Sequence, residues 1–155
     1  CGSMPKFTAQ VPDYAHRVRT SFGRQTFMAH IGAECVRVEP GFCELALDYR
    51  ADLCQQDGYL HGGVTGALAD SAAGYAAYTL MPAGCSVLTV EYKLNLISPA
   101  TGSRFLARGQ VERAGRTITV VLARVVAIQA EGEKEIALMQ ATMMCLPKSS
   151  DMVPD

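Results

Sequence analysis

The chain has 155 residues, the usual length of one domain and enough to bury a hydrophobic core. Its composition, 49% hydrophobic and 19% charged with a formal net charge of -1, excludes an intrinsically disordered chain and gives no reason to expect nucleic-acid binding. No uninterrupted apolar stretch reaches the roughly 20 residues that a membrane-spanning helix needs, so we expect no membrane segment.

The two ends of the chain differ from its middle. Residues 1–3 look like a cloning remnant ahead of a native start at Met4, and no basic stretch followed by an apolar one indicates a secretory signal. Residues 147–155 are polar and contain proline, which is typical of a loose tail. We therefore expect a single domain over residues 4–146.

Five of the six cysteines stand singly among apolar residues, without a C-x-x-C pair or a histidine at ligand spacing. They are Cys35, Cys43, Cys54, Cys85 and Cys145. This pattern predicts reduced core cysteines in a cytoplasmic protein and no metal site.

The predicted elements begin with a helix over residues 13–29, for which Asp13 is a suitable N-cap. Residues 33–38 and 41–49 are predicted strands, joined as a hairpin by a Pro-Gly turn signal. Apolar and acidic residues alternate in the second of these strands, which is the pattern of a half-buried sheet.

The central predicted element is a helix over about residues 62–80. This stretch is too long for one strand and is apolar on every side, which predicts a buried helix. Its many glycines and alanines let a sheet approach closely, although each interior glycine costs about 0.5–1 kcal/mol relative to alanine.

Four further strands are predicted over residues 87–97, 103–113, 117–129 and 134–146. The connections between them are short, so we expect consecutive strands to pair as antiparallel hairpins. Two strands, one buried helix and four strands predict an α+β fold, in which a long antiparallel sheet wraps around the central helix.

Asp70 is the only charged residue of the predicted buried helix. An isolated carboxylate in apolar surroundings is costly, so it needs polar partners, a raised pKa, or both. Such a group is a candidate general base or nucleophile, and the alternative is a structural carboxylate that caps a helix or bridges subunits. Tyr75 and Tyr78 on the same helix are expected in the core or in the lining of an acyl pocket.

The helix is preceded by His61, Gly62 and Gly63. The first N–H groups of a helix are unpaired and lie at the positive end of its dipole. They suit a thioester carbonyl that becomes an oxyanion, or a carboxylate or phosphate. A Gly-Gly helix start alone is weak evidence, because many such pairs are simply tight turns.

Residues 58–70 (GYLHGGVTGALAD) resemble the signature of the phenylacetate-pathway (PaaI-like) hotdog thioesterases, a G-x-x-H-G-G element with a helical Asp nine residues after the His. Residues 88–100 and the hairpin at 113–117 are also similar to that family. The resemblance covers roughly residues 33–145. It implies the hotdog fold and acyl-CoA thioesterase activity.

The resemblance also implies roles for individual residues. Asp70 would be the catalytic acid, either activating water or attacking the thioester carbonyl itself. The backbone N–H of Gly62 would be the oxyanion donor. The Gln55 amide would hold the thioester or the water, and the Thr89 hydroxyl would help position the water. In this family the site forms between two subunits.

Substrate-binding residues are expected at the loop and at one hairpin. The His61 ring would fix the loop by hydrogen bonding, and the backbone around Gly63 would bind the substrate. Arg113 and Arg116 flank a turn, where they would hold CoA phosphates or belong to an ordinary solvated strand edge.

The resulting expectation is hydrolysis of acyl- or aryl-CoA thioesters to free acid and CoA, without a metal or an organic cofactor. The family resemblance implies a homodimer that pairs further into a dimer of dimers. One alternative is a non-catalytic acyl-CoA-binding hotdog protein, against which Asp70, Gln55 and Thr89 argue. Another is a hotdog dehydratase or hydratase, which the G-x-x-H-G-G start suits less well.

Overall fold

A computed structural model describes residues 6–148 of the chain. The predicted cloning remnant at residues 1–3 lies outside the described residues. So do residues 149–155 of the predicted tail, whereas Pro147, predicted to belong to that tail, is the last residue of a strand. No helix among the described residues is long and apolar enough to cross a membrane.

The described residues form three α-helices, one short 3-10 helix and six β-strands. In chain order these are α1 (Tyr14–Gly23), α2 (Thr26–Ile31), β1 (Glu34–Glu39), β2 (Phe42–Asp48), the 3-10 helix (Ala51–Leu53), α3 (Gly62–Tyr78), β3 (Cys85–Leu96), β4 (Arg104–Ala114), β5 (Ile118–Gln129) and β6 (Gly132–Pro147).

All six strands pair antiparallel in one sheet with the order β1-β2-β4-β5-β6-β3. Helix α3 contacts every strand from β2 to β6. The predicted α+β fold, a long antiparallel sheet around a central helix, is confirmed. The predicted hairpin between β1 and β2 is also confirmed, with Gly41 at a φ of 77° in its turn.

The expectation that all consecutive strands pair is wrong for β3 and β4, because β3 pairs with β6 at the sheet edge. The link between β3 and β4 forms hydrogen bonds with other elements. The N–H of Ile97 donates to Ile136 in β6, and the carbonyl of Ala100 accepts from Leu60. Seven linking residues reach up to about 23 Å. Three strand spacings require only about 14 Å, so the crossover fits.

The single helix predicted over residues 13–29 is two helices. Gln25 is extended, with φ -77° and ψ 100°, and separates α1 from α2. Gly32 then ends α2 in the left-handed conformation, at a φ of 78°. Asp13 does occupy the N-cap position of α1, but its side chain makes no capping hydrogen bond.

Helix α3 is not buried on every side as predicted. Most of its residues are packed in the core, but a face formed by Gly63, Ala67, Asp70 and Gly74 is exposed or only half-buried. On the packed side, the absence of a side chain at Gly109 lets β4 approach the α3 backbone. This approach places α3 against the sheet while leaving one face uncovered.

The five described cysteines are free thiols, but they are not all isolated as predicted. The Sγ atoms of Cys85 and Cys145 lie 2.9 Å apart on the neighbouring strands β3 and β6. Cys43 and Cys85 are buried, and the other three are half-buried.

Candidate active site

The candidate site contains Asp70 of α3 and Thr89 of β3. The Thr89 hydroxyl donates a hydrogen bond of 2.7 Å to Oδ1 of Asp70. Asp70 is half-buried, and burial raises the pKa of its carboxyl group, while the hydrogen bond from Thr89 acts in the opposite direction. The raised pKa makes this carboxylate a stronger base than an exposed one.

A β-bulge in β3 positions Thr89. Pairing with β6 joins Thr89 to Met143 and Glu91 to Thr142, so Val90 is an extra residue between them. A bulge exchanges the two faces of the strand beyond it. As a result, Thr89 reaches Asp70 of α3, and Leu94, five residues later, also packs against that helix at Gly66.

Asp70 and Thr89 line a cavity of about 320 Å³ between α1, α3 and β3. Its wall is mostly polar. The other lining residues are Ser21, Arg24, Gln25, Ser71, Gly74, Tyr75, Tyr78, Ser86, Val87 and Lys148.

The N-terminus of α3 is capped by a side chain. Nδ1 of His61 accepts a hydrogen bond of 2.8 Å from the Gly63 N–H. The Gly63 N–H is therefore already used by the protein, although Gly63 was predicted to bind substrate. The Gly62 N–H has no acceptor among residues 6–148, which leaves it available to a ligand.

Gln55 lies in the loop before α3 and is half-buried. Its side-chain carbonyl accepts hydrogen bonds from the N–H groups of Asp57 and Tyr59, and its Nε2 donates a longer one of 3.4 Å to Oδ2 of Asp57, so both halves of the amide stabilise its own loop. Gln55 and Gly62 line a second cavity, of about 350 Å³, which they share with the link between β3 and β4.

The two cavities have no lining residue in common among the described residues. Asp70 follows Gly62 by eight residues, which corresponds to about 12 Å along a helix axis. A thioester carbonyl within hydrogen-bond distance of Gly62 therefore lies beyond the reach of Asp70 in the same chain. Within one chain, the predicted catalytic residues form two separate groups, Asp70 with Thr89 and Gln55 with Gly62.

The predicted phosphate-binding arginines lie apart from both groups. Arg113 and Arg116 are exposed. Arg116 lines a third cavity, of about 120 Å³. Arg104 and Arg108, on the strand before that hairpin, are each paired with two carboxylates.

Comparisons with known proteins decide the family. A thioesterase family protein from Silicibacter pomeroyi, whose crystal structure is known, is 46% identical to this chain, with a TM-score of 0.86. The match covers 87% of this chain and 99% of that protein. The chain belongs to the thioesterase superfamily. The sequence model of the superfamily matches residues 57–133.

Two more distant proteins are also similar to this chain. A protein of Saccharolobus solfataricus with the name "Putative esterase SSO1253" is 33% identical over 91 residues, or 59% of this chain. The chain spans 60% of the length of that relative. The PaaI protein of the phenylacetic acid degradation operon of E. coli is 17% identical, covers 88% of this chain and 96% of its own, and shares the fold with a TM-score of 0.78. The predicted hotdog thioesterase family is thus confirmed.

The superfamily match contains Gly62, Asp70 and Thr89, but α1 lies outside it. Sequence reasoning missed Ser21 of α1, the C-cap residue Arg24 and the following Gln25, which line the cavity of Asp70. A partial signal was present. Asp70, Ser71, Gly74, Tyr75 and Tyr78 recur at helical spacing, which predicts one continuous face of α3 that another element has to meet.

Proposed function

We propose that this member of the thioesterase superfamily hydrolyses acyl- or aryl-CoA thioesters to the free acid and CoA, at a site formed by two copies of the chain. The observation that carries the proposal is the half-buried Asp70 carboxylate, which lines a cavity and receives the hydroxyl of Thr89 on one oxygen. A desolvated carboxylate with one oxygen fixed and the other free is suited to general-base or nucleophilic catalysis.

In the general-base route, Asp70 takes a proton from water as the water oxygen attacks the thioester carbonyl. The tetrahedral intermediate then expels the CoA thiolate, which receives the proton from Asp70, and the free acid remains. In the nucleophilic route, Asp70 attacks the carbonyl and expels the thiolate, and water then cleaves the mixed anhydride. Both routes use the same free carboxylate oxygen and consume one water.

The oxyanion of the intermediate is assigned to the Gly62 N–H. This group is the first of helix α3 and has no acceptor among residues 6–148, so it can donate at the positive end of the helix dipole. Because Asp70 of the same chain lies too far away, the Gly62 and Gln55 group of one copy is proposed to face the Asp70 and Thr89 group of the other.

The edge strand β3 supports association of two copies. It has twelve residues and pairs only with β6, so its other edge is free among the described residues. Several of its large apolar side chains are about half exposed, namely Leu88, Val90, Tyr92 and Leu96. A long apolar edge strand is an aggregation hazard unless it is paired, and a second copy of β3 would pair it. Further pairing of dimers into tetramers stays a prediction.

The geometry does not favour a dehydratase. Such an enzyme needs a histidine that takes a proton from carbon. While Nδ1 of His61 accepts the Gly63 N–H, Nε2 carries the ring proton and can only donate, so His61 does not suit this role. The proposed hydrolysis uses water as its only co-substrate and requires no metal or organic cofactor. Binding of the CoA phosphates by Arg113 and Arg116 stays a prediction.

The decisive experiment measures release of CoA thiol from a panel of acyl- and aryl-CoAs by wild type, Asp70→Asn and Asp48→Asn. Asp48 is a matched control, because it lies on β2, pairs with Arg104 and does not line the cavity of Asp70. We expect turnover by wild type and by Asp48→Asn, and a loss of about 10²-fold or more in Asp70→Asn with an unchanged circular dichroism spectrum.

Two results would contradict the proposal. Full activity of Asp70→Asn would remove Asp70 from the mechanism. Binding of acyl-CoAs by wild type without release of thiol from any of them would favour the non-catalytic binding protein instead.

A further inference from the structure

The cavity beside Asp70 is polar at its far end. Tyr75 follows Asp70 by five residues on α3, which places it about 7.5 Å further along the helix axis. Its hydroxyl accepts a hydrogen bond of 2.8 Å from Nε2 of Gln25 and lies 3.2 Å from Oγ of Ser21. The Tyr75 ring is only 4% exposed and packs edge-on against Phe22, so its hydroxyl is held in place.

This polar wall contains hydrogen-bond donors that remain available to a ligand. The Gln25 amide has a second N–H beyond the one that it gives to Tyr75, and the Ser21 hydroxyl can rotate toward the cavity. An apolar acyl chain pressed against these groups would take them out of water without replacing their hydrogen bonds. The wall therefore favours an acyl group with a polar end.

Two cations that line the cavity indicate that the polar end of the acyl group should be negatively charged. Arg24 at the end of α1 and Lys148 after β6 both line the cavity. Neither forms an ion pair with an acidic side chain within residues 6–148. Within residues 6–148, Asp70 is the only acidic residue of the lining. The cavity thus combines one carboxylate at the reacting end with two cations that have no acidic partner among residues 6–148.

Building on the proposed thioesterase function, we infer that the preferred acyl group carries a second carboxylate at the end remote from the thioester. The thioester carbonyl lies beside Asp70, and the distal carboxylate binds Arg24 and the donors of Gln25 and Ser21. The rise of about 7.5 Å along the helix axis is a lower bound on the distance from Asp70 to the polar wall, so the acyl group has to be at least a short dicarboxylic acid, such as glutarate or adipate, that is linked to CoA through one end.

The phosphates of CoA are a second source of negative charge for the same cations. The two sources can be separated, because every CoA thioester carries the phosphates and only some carry a distal carboxylate. Adipyl-CoA and hexanoyl-CoA form a matched pair of equal chain length that differs in this one group.

The test compares kcat/KM for these two thioesters in wild type, Arg24→Gln and Arg124→Gln. Arg124 is the control cation, since it pairs with Glu135 and does not line the cavity. We expect wild type to prefer adipyl-CoA by about tenfold or more, as one charged hydrogen bond provides. In Arg24→Gln, kcat/KM should fall for adipyl-CoA but not for hexanoyl-CoA, so most of the preference should be lost. Arg124→Gln should keep the preference.

Two outcomes overturn the inference and leave the proposed function standing. One is an equal rate for both thioesters in wild type. Another is an equal loss for both in Arg24→Gln, which would assign Arg24 to the CoA phosphates. If neither thioester is cleaved, the proposed function fails for these substrates. Calorimetry with the uncleavable thioethers 5-carboxypentyl-CoA and hexyl-CoA then decides. Tighter binding of the carboxylate form, lost in Arg24→Gln, supports the inference, and equal binding overturns it.

Discussion

The hydrogen bond of 2.7 Å from the Thr89 hydroxyl to Oδ1 of Asp70 joins β3 to α3 across the candidate site. This hydrogen bond lowers the pKa of the Asp70 carboxyl group, whereas burial raises that pKa. Burial has the larger effect. Among residues 6–148 no other side chain donates to Asp70, so Oδ2 stays free for water or substrate. Thr89 therefore holds the carboxylate itself, in addition to any effect on the water.

Thr89→Val should shift the pH dependence of the reaction. Valine keeps the shape of threonine but removes the hydrogen bond that lowers the pKa of Asp70. We expect the acid limb of the kcat/KM profile to move to higher pH, with a loss of about tenfold near pH 7. Thr89→Ser keeps the hydroxyl and should behave as wild type. Profiles of the three proteins that coincide on the acid side would show that this hydroxyl does not influence Asp70.

Asp70→Asn should make the fold more stable while it removes activity. A raised pKa means that the folded chain binds the Asp70 proton more tightly than the unfolded chain. The free energy of unfolding then falls as pH rises from the ordinary carboxyl pKa, about 3.9, through the raised folded-state pKa. Above this window the ionised group destabilises the fold, and a neutral amide does not.

Thermal melts at pH 4 and pH 8 check this prediction. The Tm of Asp70→Asn should exceed that of wild type at pH 8, and the difference should shrink at pH 4. A lower Tm for Asp70→Asn at pH 8 would mean that the ionised carboxylate makes stabilising contacts that outweigh its burial.

The fold could be predicted where local pattern determines it. The composition of residues 62–80 predicts α3 almost to its ends, Gly62–Tyr78. The pairing of β3 with β6 and the bulge at Val90 could not be predicted. Simple alternation places Thr89 and Leu94 on opposite faces of a strand, yet both contact α3. The extra residue that resolves this conflict is a property of strand pairing, which local periodicity does not report.

The candidate site also contains residues that the sequence could predict and residues that it could not. Asp70 was predicted from its lone charge in the central helix and Thr89 from family resemblance, and the structure joins them by a hydrogen bond. The polar wall from Ser21 to Gln25 was missed, because the meeting of α1 with α3 depends on contacts about 50 residues apart along the chain. The separation of Gly62 from Asp70 in one chain follows from helix geometry and could be read from their spacing.

Deleting the Gly62 N–H tests the oxyanion assignment. His61 has φ -59° and ψ 134°, a conformation that accepts a following proline, and the first position of a helix tolerates proline well. A side chain at residue 62 would approach Cδ1 of Leu96 to 2.6 Å, so the comparison uses a background with space. The pair Gly62→Pro/Leu96→Ala and Gly62→Ala/Leu96→Ala differs mainly in the N–H.

We expect kcat of the proline variant to fall about 10² to 10³-fold below that of the alanine variant, at a similar Tm. Equal kcat values for the two would assign the oxyanion to another donor. A large difference in Tm would instead indicate a structural effect of proline.

Mixed dimers test whether Asp70 and Gly62 act across two chains. Asp70 lines one cavity of a chain and Gly62 the other, so neither Asp70→Asn nor Gly62→Pro/Leu96→Ala should be active as a homodimer. A heterodimer of the two variants, isolated with two different tags, contains one site with both native residues and one with neither. It should recover about half of the wild-type activity, because a two-fold dimer has two equivalent sites. If both residues acted within one chain, every site of the heterodimer would be damaged and no activity would return.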